Sequence, residues 1–200
     1  MTLPSHIRIG LLIGLSLCCL QCFAPSRPGP QASPAPQTSI QVSQVDAERI
    51  GKKIWQNEAA GTISGLTSWN KNEAFSSMGI GHFIWYPAGG RQTYEESFRP
   101  LMGFLVSRGV RLPTGLNPRS PCPWPNRSAF INASDSPKMR ALRQMLSQTV
   151  GLQTEFIINR MHAALPKMLR AVSPADQQRI EANFYAMSET ANGLYALIDY

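Results

Sequence analysis

The chain is short of cysteine, histidine and acidic side chains, and each shortage removes a class of protein. Of its 4 cysteines, Cys18, Cys19 and Cys22 crowd the N-terminus, which leaves Cys122 alone in the remainder. A single cysteine closes no internal loop, so no disulfide framework is available and stability must come from packing. Cys122 lies in a Pro-rich loop; burial is the expectation for it, with pairing between chains as the alternative. The 3 histidines, His6, His82 and His162, are too scattered to share a metal ion. Neither metal nor cofactor is expected. A Ser/His/Asp set with a glycine-bounded nucleophile elbow is missing, and Gly79-Ile80-Gly81 lacks the length and the following lysine of a phosphate loop.

Acidic residues number 12 against 19 lysines and arginines, a formal charge of +7. The basic residues are dispersed (Lys52, Lys53, Lys71, Arg91, Arg99, Arg108, Arg111, Arg119), with no dense tract and no interleaved aromatics of the single-strand-binding kind. No nucleic-acid partner is expected. A basic surface of this sort suits anionic envelope polymers and wall glycans.

What is there begins with an apolar N-terminus. Arg8 precedes a run through Ile9, Leu11, Leu12, Ile13, Leu15, Leu17, Cys18, Cys19 and Leu20. That length suits a signal peptide and is short for a spanning helix. Cleavage after Ala24, with Cys22 and Ala24 as the small recognition residues, gives a leader over residues 1–24. Lipid attachment at Cys18 or Cys19 competes with it, although Leu17 or Cys18 would then fill the preceding small-residue position. Retention as a membrane anchor is the third outcome. Residues 25–44 are rich in Pro, Ser, Gln and Ala with no repeated apolar face, and read as a linker. Residues 45–200 are long enough for one domain with its own core. The patterned apolar ending, Ala196-Leu197-Ile198-Asp199-Tyr200, raises the expectation that more chain follows.

Within that domain the pattern is mostly helical. Asp46 is the expected cap of a first helix whose stripe is Ile50 and Ile54, with Glu58 next on the same face. Glycines, serines, threonines and aromatics then take over, and residues 79–85 read as a tight turn entering a short strand. Residues 95–106 return to helical spacing through Phe98, Leu101, Met102 and Leu105. A Pro-rich loop over residues 113–125 follows, pinned by Trp124 and Phe130. Ser134 or Asp135 is expected to cap the next helix, with Pro137 in its first turn. Met139, Leu142, Met145, Leu146 and Val150 make one stripe; Phe156, Ile157, Met161 and Leu165 make another, up to a break or kink at Pro166. One last helix should start near Ser173-Pro174 and carry Ile180, Phe184, Met187, Ala191, Leu194 and Leu197. The fold class is therefore α+β: mostly helical with one small β-hairpin.

Two elements stand together in the first third. Glu58 ends a helix whose face is buried, and 24 residues later His82 ends the segment Ser77-Met78-Gly79-Ile80-Gly81-His82. Glycines in such a turn let backbone approach a bulky substrate and present amides to its hydroxyls. Over residues 50–85 this arrangement resembles the lysozyme-like superfamily, in particular phage-type muramidases. Those enzymes have a catalytic glutamate at the end of their first long helix, followed by glycine, and then a hairpin ending in Thr-Ile-Gly-x-Gly-His. Here the glycine is displaced to Gly61, Ser77 stands near the threonine's place, and the hairpin has no aspartate. Asn70 or Glu73 is the candidate for the aspartate's position. The departure also leaves open the single-acid chemistry of lytic transglycosylases.

The resemblance implies cleavage of peptidoglycan glycan strands outside the cytoplasm, in the periplasm or cell envelope, with peptidoglycan as partner. Such cleavage needs a proton donor to the leaving oxygen and a second group that stabilises or attacks the sugar cation. Glu58 is the expected general acid, with Ile54 and Trp55 sheltering it. Glu73, if it faces Glu58, is the second carboxylate. Trp69, Asn70, Ser77, Gly79 and Gly81 are the expected substrate contacts. His82 is read as structural, and Phe83 and Trp85 as packing. A noncatalytic glycan-binding domain and a structural envelope protein are the rival readings.

Overall fold

The first helix starts earlier than its acidic residue suggests. In the structure, a computed structural model that describes residues 40–199, α1 spans Gln44–Ala59. Its cap is Ser43, not Asp46: the Ser43 hydroxyl oxygen accepts from the Asp46 N–H (3.0 Å) and the same hydroxyl donates to the Asp46 carboxylate (2.8 Å). Serine fits the cap because its oxygen reaches an orphan amide of the first turn, while aspartate within that turn faces the positive end of the helix. Ile40 and Val42, inside the stretch read as linker, pack against the core, so the folded part begins before Val45. The leader over residues 1–24 and most of the linker lie outside the described residues. Among the described residues, no helix is long and apolar enough to cross a membrane.

After α1 a short 3-10 turn, Ser64–Leu66, leads into β1 (Thr67–Ser68), β2 (Ser76–Met78) and β3 (Phe83–Trp85). The single hairpin expected is thus one half of a three-stranded antiparallel sheet in the order β1-β2-β3. Ser77 faces Ser68 on one side and Ile84 on the other, and Met78 faces Phe83 across the turn.

Six helices follow: α2 (Phe98–Ser107), α3 (Arg127–Asn132), α4 (Pro137–Gln148), α5 (Val150–Arg170), α6 (Pro174–Ser188) and α7 (Ala191–Asp199). The architecture is α+β and mostly helical. Several boundaries differ from expectation for local reasons. Helix α2 starts at Phe98 and not at Glu95, because the Glu96 carboxylate turns back to accept the Tyr86 N–H (3.0 Å) and to pair with Arg99. The short α3 follows the Pro-rich loop in a stretch to which the sequence pattern assigns no element, with the Asn126 side chain accepting from the Ala129 N–H (2.9 Å). Helix α4 is capped by Ser136, directly before Pro137, and not by Ser134 or Asp135. Pro166 lies inside α5 without ending it; the helix runs on to Arg170 and forgoes the one hydrogen bond proline cannot donate.

The last helix is in fact two. Thr190 caps α7 by accepting from the Gly193 N–H (3.0 Å), and a Cβ on Gly193 would stand 2.0 Å from the Met187 carbonyl oxygen. The chain therefore bends at residues 189–190. Phe184 and Leu194 are buried, whereas Met187 is exposed.

The core is aromatic where the Pro-rich loop meets the sheet. Trp85, fully buried, lies 4.7 Å from the Phe98 ring and donates through Nε1 to the Ser120 carbonyl (2.9 Å). Trp124 meets Phe130 edge-on at 5.3 Å. Such edge contacts add about 1 kcal/mol each beyond the buried area. Cys122 is buried beside the Ser76 hydroxyl (3.4 Å), and burial pushes its thiol pKa up. Helix α1 lies so close to α5 that a Cβ on Gly51 would come within 2.3 Å of Thr154 Oγ1. That approach fixes the middle of α1 against the first turns of α5.

Candidate functional site

The end of α1 is built to hold a side chain at a fixed place. Ala60 and Gly61 both take left-handed backbone (φ 51° and 64°), and both of their N–H groups donate to the Trp55 carbonyl. Trp55 in turn donates through Nε1 to the Thr62 carbonyl (3.0 Å), which locks the chain as it leaves the helix. Glu58 sits in this last turn with its side chain 48 % exposed.

Across from it stands the turn between β2 and β3. Gly79 takes φ 70°, and a Cβ there would lie 2.2 Å from the Oε1 of Gln153, so both backbone and space demand glycine. Gln153, fully buried on α5, accepts from the Ile80 N–H (3.0 Å) through that oxygen. Its Nε2 donates to the Leu146 carbonyl (2.6 Å) and to Thr149 Oγ1 (3.0 Å). The Gly79 N–H donates to the Leu66 carbonyl (2.8 Å). A buried amide and a neighbouring carbonyl thus hold the turn from two sides. His82 closes it in left-handed backbone (φ 46°), a conformation that costs a non-glycine residue about 1–2 kcal/mol. Its Nδ1 lies 3.6 Å from the Glu58 Oε2, an ion-pair separation longer than a hydrogen bond.

Between the two elements is a cavity of about 210 Å³ lined by Ile54, Glu58, Ile80, Gly81, His82, Ile157 and Ile198. Four isoleucines form apolar walls, and one carboxylate and one imidazole face them. A second cavity of about 430 Å³ shares Gly81, His82, Ile157 and Ile198 with the first. It extends the hollow toward Ile84, Ser97, Glu95 and Arg160. Helix α7 supplies Ile198 to both and Leu197 to the second. The helix is docked on α1 through Tyr195, whose ring lies 3.7 Å beneath the Lys53 ammonium and whose hydroxyl accepts from Asn57 Nδ2.

The residues singled out from sequence divide between this groove and the interior. Glu58, Gly81 and His82 line the groove. Gly79 is buried behind it and shapes the turn. Ser77 is buried in the middle strand, paired to both neighbours, and its place there is set by the sheet. Trp69 is not a groove residue. It is only 6 % exposed, meets Phe130 edge-on at 5.7 Å and donates through Nε1 to the Glu73 carbonyl (2.8 Å), so its ring and its polar edge are both used in packing. Asn70 is exposed in the same loop, where its carbonyl accepts from the Glu73 N–H (3.2 Å).

Glu73 does not line the cavity that holds Glu58. Its Oε2 is buried without a hydrogen-bond partner, because the loop between β1 and β2 folds over Trp69 and draws that carboxyl inward. Phe83 and Trp85 are buried, as side chains of the strand's inner face. Among the described residues, no three His, Cys, Asp or Glu side chains come together to hold a metal ion.

Sequence reasoning passed over Gln153, Ile157, Arg160 and Ile198. For Gln153 a signal was present: it is a polar residue inside an apolar stripe that runs from Leu146 through Val150 to Ile157. A fully buried amide in such a stripe has to be paid for by partners, and here they include the Ile80 N–H of the glycine turn. Ile157 and Ile198 carry no signal beyond ordinary core patterning.

The arrangement offers a half-sheltered carboxyl, an adjacent imidazole and a trough made of two adjoining cavities. Comparison of the chain with family models, with curated proteins and with solved structures finds no match.

Proposed function

We propose that the protein has a lysozyme-like fold and cleaves glycosidic bonds in the glycan strands of peptidoglycan, with Glu58 as general acid. The observation that carries this reading is the placement of Glu58. It stands at the end of the first long helix, half-exposed, in a groove whose opposite wall is the Gly81-His82 turn. The apolar side chains around it exclude water from one side of the carboxyl, while the open side admits a sugar. The reading places the protein in the cell envelope, led out of the cytoplasm by residues 1–24, with its basic character holding it near anionic wall polymers.

Replacing Glu58 with Gln removes the proton and keeps the shape. Turbidity of purified sacculi and released muropeptides are the readouts, and Glu58→Gln should lower turnover about 100-fold or more. Undiminished release by that variant ends the proposal. Retention on sacculi with no release by the wild-type protein would instead favour a noncatalytic glycan-binding domain.

One observation favours lytic transglycosylation over hydrolysis. Glu58 is the one carboxylate among the residues lining its cavity, and Glu73 is turned into its own loop. With a single acid, the substrate's own N-acetyl and hydroxyl groups complete the reaction. The released muropeptides should then be anhydro products, lighter by one water than hydrolytic ones, which mass spectrometry distinguishes.

A further inference from the structure

The hollow does not end at Glu58. It continues past Gly81, His82, Ile157 and Ile198 to Arg160, which stands one helical turn beyond Ile157 on α5, about 4.5 Å further along the helix axis. The Arg160 guanidinium lies 5.9 Å from the centre of the Phe156 ring, and its Nη2 is 3.6 Å from Glu95 Oε1. Glu95 is 83 % exposed, so this ion pair is solvated and contributes little. Arg160 itself is 39 % exposed. A cation facing a groove with only a loose surface partner is free to exchange that partner for an anion brought in by a ligand.

The geometry points to Arg160 as the docking post for a carboxylate on the substrate, which makes the substrate class an anionic glycan and not a neutral one. The inference rests on the proposal that a sugar chain lies beside Glu58. A chain running along the shared wall brings the substituents of a neighbouring sugar to Arg160. In peptidoglycan the carboxylate comes from one of two places, the lactyl ether of the muramic sugar or the peptide stem attached to it. Guanidinium suits either, since its planar fork matches a carboxylate with two parallel hydrogen bonds.

The test measures binding by calorimetry in a Glu58→Gln background, so that no probe is consumed. Three soluble probes are used: a neutral N-acetylglucosamine hexamer, glycan fragments stripped of peptide by an amidase, and glycan fragments that keep their stems. Adding Arg160→Met should weaken binding of carboxylate-bearing fragments about tenfold and leave the neutral hexamer unchanged. Loss confined to stripped fragments assigns the lactyl carboxylate; loss confined to stem-bearing fragments assigns the stem. Glu95→Gln should tighten both by freeing Arg160. Arg170→Met, an exposed charge at the far end of α5, controls for general attraction and should change nothing.

Equal weakening on all three probes, no weakening, or the same effect from Arg170→Met overturns the inference, as does failure of every probe to bind. Its fate is separable from that of the catalytic proposal. A wild-type protein that releases no muropeptides but binds through Arg160 keeps the inference and loses the activity. One that releases them with no carboxylate preference does the reverse.

Discussion

Gln153 is the residue on which the groove's far wall depends, and Gln153→Met tests that dependence. Methionine matches glutamine in length and removes both polar ends. The Ile80 N–H then loses its acceptor in a place where Ile80 is fully buried. The other broken bonds matter less. The Leu146 carbonyl keeps weaker contacts from the Thr149 N–H (3.3 Å) and hydroxyl (3.4 Å), and Thr149 Oγ1 keeps its bond to the Met145 carbonyl (2.8 Å). One orphaned buried amide costs about 1–3 kcal/mol, and with the lost Nε2 bonds the total comes to about 2–4 kcal/mol. For a domain of this size that lowers the melting temperature by about 4–16 °C. Urea unfolding followed by circular dichroism gives the free energy directly. On the proposed activity, muropeptide release measured well below the new midpoint should also fall, because the Gly81-His82 wall is no longer held. A variant within about 0.5 kcal/mol of wild type, the range of an ordinary surface change, refutes the argument that this amide pins the turn.

Two further outcomes concern the strained residue after α1 and the buried thiol. Ala60→Gly should stabilise the protein by about 0.5–1 kcal/mol, since Ala60 holds left-handed backbone that glycine adopts without penalty, an advantage partly offset by a freer unfolded chain; thermal melts that show no gain contradict it. Burial raises the Cys122 thiol pKa above its ordinary 9.0, so the native state keeps a proton that the unfolded state gives up. That contribution is complete below the unfolded thiol's value and declines as pH rises beyond it, so unfolding free energy should fall above about pH 9 more steeply in wild type than in Cys122→Ala. Identical slopes would remove Cys122 as the cause, and rapid reaction of the native thiol with a disulfide reagent would contradict its burial.

The helices were legible in the sequence because their apolar stripes recur at helical spacing, and Ile50 with Ile54, Phe98 with Leu101 and Leu105, and Met139 with Leu142 and Leu146 all lie buried. Their ends were less so. Ser43 and Ser136 win the caps from nearby acidic residues, and the choice depends on which hydroxyl meets an orphan amide. The division of the last helix at Thr190 was hidden, because Phe184, Ala191 and Leu194 keep one period across the bend.

In the site, the helix terminus at Glu58 and the glycine turn were visible as local chemistry. The direction of Glu73 and Trp69 was not, because it is decided by Phe130, Arg127 and the loop's own hydrogen bonds, residues far along the chain. Arg160 and Ile198 lie about 100 and 140 residues after Glu58, a separation that only the packing of α5 and α7 against α1 brings to one place.

One rod carries three parts of the groove. Gln153, Ile157 and Arg160 fall on α5 at intervals of four and three, so a single face of that helix anchors the turn, lines the trough and presents the cation. Rotating α5 by one residue, about 100°, would withdraw all three at once. The turn's anchor, one wall of the trough and its cation therefore move together, with the register of α5 against α1 where Gly51 lets the two helices touch.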